Sequence, residues 1–166
     1  KYFHLIEDDV RFCGDSFNVY LANTKNEQTD FLCLKLKKKP PSNMWVKKYA
    51  FSHPSENSCH GCFFPVSRVS RRAASYLLQR RIEEFRYFLE HYDFTQSFAS
   101  KYFSNDEAFT SNSIANSSVH SISRFTSPIF DQYMGLGVCL DAQNIPGNHV
   151  IHRYCPDDKT FKFKFL

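Results

Sequence analysis

No uninterrupted apolar run in this chain approaches the roughly 18 residues that read as a membrane-crossing helix, so no spanning segment is expected within it. A secretory signal peptide is also missing. The first residue is Lys1 rather than Met, and the expectation is that a further portion precedes it, where a targeting segment or membrane anchor would lie. Six cysteines are present, yet Cys59-His60-Gly61-Cys62 has no second Cys-x-x-Cys to join it. Zinc would need further ligands from His60, Cys139 or Cys155, and no tetrahedral zinc is expected; a disulfide and free thiols both stay open. No His follows Cys62, which excludes a c-type haem attachment. The basic residues are dispersed and no recognised nucleic-acid motif occurs, which argues against a nucleic-acid partner. Glycine is scarce, at five residues, and no internal repeat or convincing domain boundary interrupts the chain.

What is present suits one domain over residues 1–166, long enough for a real core and rich in Phe and Tyr. The net charge of +4 is mild, and much of it comes from Lys35, Lys37, Lys38 and Lys39. That run reads as a solvated strand end that blunts an edge, with a phosphate-binding or membrane-surface patch as the alternative. Tyr2-Phe3-His4-Leu5-Ile6 reads as a buried strand. Phe31 to Leu36 reads as a second strand, stopped by Pro40-Pro41. Trp45 to Ser52 reads as a short edge strand, His53 to His60 as a loop, and Gly61 to Val66 as a short apolar approach to a helix. That helix is capped by Ser67 or Ser70. Its apolar spacing runs through Val69, Ala73, Tyr76 and Leu77 to Ile82, Phe85, Leu89 and Tyr92. Its arginines form a solvated face or help hold an anionic ligand. Phe98 to Phe109 reads as a second helix, with Asp106 and Glu107 inside it or at its start. Ser111 to Ser123 reads as a mobile loop, and His149 to His152 and Phe161 to Leu166 as short closing strands.

One feature resists a packing explanation. The apolar opening run leads straight into Glu7-Asp8-Asp9, three acids whose carboxylates repel one another. In open α/β sheets ligands collect beyond the carboxyl ends of strands, so these acids are placed for a site. Glu7 and Asp9, one residue apart, offer hard oxygen ligands of the kind that hold Mg²⁺ or Mn²⁺, with ligand phosphates completing the shell.

His4-Leu5-Ile6-Glu7-Asp8-Asp9-Val10 resembles the strand-plus-acid motif of sugar-nucleotide-dependent glycosyltransferases of the GT-A fold, whose Asp-x-Asp motif often takes the form Glu-Asp-Asp. Further features follow in that family's order. Gly61 to Arg68 is similar to the glycine-containing segment lining the acceptor side. Asn105-Asp106-Glu107 resembles the later acidic motif that supplies the base, with Asp before Glu. His152, in His149-Val150-Ile151-His152, resembles the C-terminal histidine that binds metal or diphosphate. The resemblance implies an α/β fold with a mixed sheet flanked by helices, of which the first, nucleotide-binding half would precede Lys1. It implies Mn²⁺ or Mg²⁺ held by Asp9, Glu7 and His152, with Glu7, Asp8 and Gly61 on the donor or its surroundings. Glu107, or Asp106, would take the acceptor proton. The implied partners are a nucleotide-sugar donor and a glycan, protein or lipid hydroxyl, and in a eukaryote the setting would be the Golgi or endoplasmic-reticulum lumen. A non-catalytic homologue that binds a glycan or protein, and a metal-dependent phosphoester hydrolase, are the rival readings.

Overall fold

The computed structural model describes residues 1–7, 10–57, 59–92, 101–130, 147–148 and 150–152. Asp8, Asp9, Cys139, His149, Cys155 and the expected strand from Phe161 lie outside the described residues, as does the side chain of His152. The elements are β1 (Tyr2–Ile6), β2 (Val10–Phe12), α1 (Ser16–Lys25), β3 (Phe31–Lys38), α2 (Met44–Ser52), β4 (His60–Ser70), α3 (Arg71–His91), α4 (Asp106–Ala115), β5 (Ile122–Arg124), a 3-10 turn (Pro128–Phe130) and β6 (Val150–His152). The fold is α/β with a mixed sheet ordered β1-β4-β3-β5 and a separate two-stranded sheet, β2-β6. Among the described residues no helix is long and apolar enough to cross a membrane. Two compact units emerge, one of residues 1–5 and 29–124, the other of residues 6–28 and 125–166.

In the first unit β3 pairs antiparallel with β4 and parallel with β5. Its apolar start is covered on both faces, and Phe31, Leu32, Cys33 and Leu34 are all buried. The core gathers Phe31, Cys33, Cys62, Val69, Ala73 and Ile114. The β3–β4 ladder is irregular on either side of Leu34. One irregularity brackets Lys35, whose φ of 49° is a left-handed conformation typical of a bulge. The other falls where β4 carries Pro65, which has no N–H to give to a ladder.

Several expectations change. The opening run is not a buried strand: β1 takes the edge of the sheet, and Phe3 and Leu5 are 49% and 50% exposed. An apolar run states what a strand prefers, not whether a neighbour covers it. Trp45 to Ser52 is helical rather than extended, because the Asn43 side chain accepts from the backbone N–H of Trp45 and Val46. That cap sets Val46, Tyr49 and Ser52 on one buried face. The segment from Gly61 to Val66 is part of the long strand β4, which runs directly into α3.

Ser70 caps α3 by accepting from Ala73 N–H. The buried residues of α3 are Ala73, Glu84 and Phe88. Ile82, Phe85 and Leu89 lie on a different, exposed face with Leu78, so the apolar spacing read from the sequence divides between two sides of one helix. The later helix starts at Asp106, where Asn105 accepts from Ala108 N–H. It continues through Ser111 to Ala115, so the first part of the expected mobile loop is helix. Ser111, Asn112 and Ser113 are buried, and Asn112 bonds the backbone of Cys59 and His60.

In the second unit Tyr20 is buried, its ring 5.6 Å from Phe125 and 6.1 Å from Phe130. After β2 the chain turns through Gly14, at φ +58°, where a Cβ would lie 2.5 Å from Asn148 Oδ1. Asn148 Oδ1 in turn accepts from Asp15 N–H at 2.8 Å. Gly14→Ala therefore meets both left-handed strain and a contact. It is expected to cost about 1–2 kcal/mol for the backbone conformation alone, and more if Asn148 holds its place. Chemical denaturation reads this directly, and an unchanged midpoint would mean that the turn does not hold this conformation in solution.

Candidate functional site

Two places carry the residues singled out by sequence, one in each unit. The first begins at Glu7, exposed just past the end of β1. Its carbonyl accepts from Val10 N–H at 3.1 Å, a bond that spans the two following acids. Val10 then opens β2, which pairs antiparallel with β6 in the register Val10↔His152, Arg11↔Ile151 and Phe12↔Val150. The backbone thus sets His152 across from the residue that follows Asp9, although the two are separated by most of the chain. Carboxylates are hard oxygen donors of the kind that hold a divalent cation, and β6 brings the backbone of His152 opposite Val10, the residue after the acids.

The second place is built from β4 and α4. Asp106 and Glu107 occupy the first turn of α4, where negative side chains interact well with the helix dipole. The Cys62 thiol donates to the Glu107 carbonyl at 3.3 Å, which ties the Gly61-Cys62 segment to the acidic turn. Gly61 lies inside β4, not in a turn, and is buried. A Cβ there would stand 2.9 Å from Lys39 Cε and 3.0 Å from its Cγ, so the missing side chain leaves room for the lysine stem.

The two acids have different surroundings. Asp106 is 82% exposed at its side chain and pairs with Arg81 at 2.8 Å. Glu107 is half-buried, and its Oε2 accepts from Asn105 Nδ2 at 3.4 Å. Arg81 also binds the buried Glu84 at 2.6 Å and lies 3.6 Å from the centre of the Phe109 ring. Ser52 Oγ donates to the other Glu84 oxygen at 2.7 Å, so this buried carboxylate is satisfied by two elements. Arg80 pairs with Glu56, and Arg72 with Asp30. Three arginines of α3 that the sequence offered to an anionic ligand are thus matched to carboxylates of the chain itself.

Cys13, Cys33, Cys59 and Cys62 are free thiols. A hydrogen bond with Cys33, reinforced by burial, pushes the Cys62 thiol far up, so it stays protonated at neutral pH. Cys59 Sγ lies 3.4 Å from His60 Nδ1. Burial and the nearby Lys38 ammonium both lower the His60 pKa, which favours the neutral ring. Among the described residues no group of three or more His, Cys, Asp or Glu side chains is arranged to hold a metal ion; Asp8, Asp9 and the His152 side chain fall outside that statement.

Sequence reasoning passed over Asn112 and the partners of Arg81. Asn112 is enclosed in a Ser/Asn-rich stretch that looks like solvent-facing loop, and nothing local marks it. Arg81 carried a signal only as part of a basic face; its partner Asp106 is 25 residues away. Comparison of this chain with protein families, with curated proteins and with solved structures finds no match.

Proposed function

We propose that this chain is the catalytic and acceptor-side part of a GT-A-like glycosyltransferase, which uses Mn²⁺ or Mg²⁺ to move a sugar from a nucleotide donor to a hydroxyl. The observation that carries the reading is the β2–β6 register. It sets the late histidine position opposite Val10, directly after the acid triplet, and a resemblance made of distant short motifs needs such a juxtaposition. The link between Cys62 and Glu107 supports the same reading on the acceptor side.

Asp9 and Glu7 would hold the cation, with His152 on the cation or on the diphosphate. When bound, the cation neutralises the diphosphate and favours its departure. Asp8 orients the turn. Glu107 accepts the proton of the attacking hydroxyl.

The test is binding of uridine and guanosine diphosphates to the full-length protein by calorimetry, with and without Mn²⁺. Mn²⁺ is expected to tighten binding at least tenfold, and Asp9→Ala to abolish that increment while leaving the metal-free affinity unchanged. If neither nucleotide gains from Mn²⁺, the reading is wrong.

A further inference from the structure

Between Lys35 and Lys48 the chain carries six lysines and no acid. Outside this segment 15 basic residues face 17 acids, so the positive surplus of the whole chain resides here. Lys35, Lys37 and Lys38 lie on the far part of β3, Lys39 opens the turn through Pro40-Pro41, and Lys47 and Lys48 follow on the first half of α2. Among the described residues the pairing of β3 with β5 stops at Cys33, and lysines suit a strand edge left unpaired there. Edge protection does not extend to Lys47 and Lys48, which stand on a helix. Among the described residues Lys37, Lys38, Lys39 and Lys47 make no ion pair, whereas Arg72, Arg80 and Arg81 each pair with an acid.

The middle of this charge is apolar. Met44, at the start of α2, is 56% exposed, and Trp45 beside it is half-buried with the Lys48 ammonium 4.7 Å from its ring centre. We propose that the segment 35–48 docks on an anionic lipid bilayer. The lysines lie among the headgroups, and Met44 and Trp45 reach the boundary with the acyl chains. Lysine suits this role as a strongly hydrated point charge on a flexible stem, which needs no fixed partner geometry. Trp is at home where one end is apolar and the other wet. A phosphate backbone would have no use for an exposed methionine amid the lysines, which is why the bilayer is preferred to a nucleic acid.

The experiment is co-sedimentation of the 166-residue chain with vesicles of phosphatidylcholine alone and with about one-third phosphatidylserine. Binding is expected only to the anionic vesicles and should be lost in high salt, since exposed charges are screened beyond a Debye length. Reversing Lys37, Lys38 and Lys39 to Glu should weaken it about tenfold or more. Met44→Asp places an acid in the first turn of α2, where the helix dipole favours it, so the fold is retained, as circular dichroism can verify. It should weaken vesicle binding severalfold while leaving retention on a heparin column unchanged. Equal binding to neutral and anionic vesicles, or an unaffected lysine variant, overturns the proposal. Equal losses on vesicles and heparin for Met44→Asp also overturn it, in favour of a general polyanion patch.

Discussion

If the chain transfers sugar as proposed, Glu107→Gln is expected to lower kcat by roughly 100-fold or more, the usual worth of a general base, while donor affinity stays at the wild-type value. The proton is accepted only as the new bond forms, so the loss should fall on the transition state and not on the bound donor. Glutamine keeps the length and shape of the side chain. It leaves the Asn105 cap and the Cys62 contact to the Glu107 carbonyl in place, because both use main-chain or Asn105 atoms. Asp106 is the competing candidate, and its surroundings argue against it. Its carboxylate is largely in solvent and already engaged by Arg81. Asp106→Asn should therefore change kcat by no more than a few-fold. Turnover of both variants beside donor binding decides between them. A silent Glu107→Gln with a crippled Asp106→Asn would move the base by one residue, and two silent variants would remove the base from this helix.

The second large effect concerns stability. Asp30 stands at the start of β3, and its carboxylate is almost completely buried. Oδ1 accepts from Ser70 Oγ at 2.6 Å and from Arg72 Nε at 2.6 Å. Oδ2 accepts from Arg72 Nη2 at 2.5 Å and from Ser121 N–H at 3.1 Å. One carboxylate thus joins the start of β3, the cap of α3 and the approach to β5. Asp30→Asn would turn an NH₂ group toward this ring of donors and remove the charge, at a cost of about 2–3 kcal/mol at pH 7. The Arg72 fork holds the carboxyl well below the usual carboxylate range; Ser70 and Ser121 help, and burial opposes them. Because the folded-state value is depressed, the contribution is complete above the unfolded value of about 4 and is lost progressively as pH falls toward the folded value. Denaturation of wild type and Asp30→Asn should show a constant gap above about pH 5 that narrows in acid. A gap that widens in acid would mean that the fold raises the carboxyl's pKa instead of depressing it.

The parts of the fold that were legible announce themselves locally. Phe31 to Leu36 is an apolar run broken only by Lys35, with Pro-Pro behind it, and it lies in β3. Ser70 followed by a helical spacing is the cap and start of α3. Val150 to His152 is a short strand, as its apolar centre predicts. What misled is equally specific. In α2 the aromatic and β-branched residues Trp45, Val46, Tyr49 and Phe51 favour a strand by propensity, and the deciding residue, Asn43, stands just outside that window. In α4 the polar stretch Ser111-Asn112-Ser113 looks like loop because its stability comes from bonds to β4 and to its own carbonyls, which composition does not express. Asp30, Glu56 and Asp106, which pair with Arg72, Arg80 and Arg81, lie tens of residues away in sequence, so charge alone could not separate a ligand-binding face from a set of ion pairs. Of the candidate site, the order of acids and histidines was legible. The tie between Cys62 and the acidic turn was not, since a thiol to a backbone carbonyl leaves no pattern in sequence.

The β2–β6 ladder also fixes when this protein can be finished. Val10 waits for His152, about 140 residues later, a separation that makes the pairing slow to form. The segment from Thr29 to Arg124, which holds nearly all of the larger unit, has left the ribosome by then and can begin to order on its own schedule. The pairing of β2 cannot. Any product of interrupted synthesis that stops short of Val150 carries β2, directly after the acids, without the strand that pairs with it. A partial chain therefore has the sequence of the candidate site without its frame, whether synthesis stops just before Val150 or near Arg124.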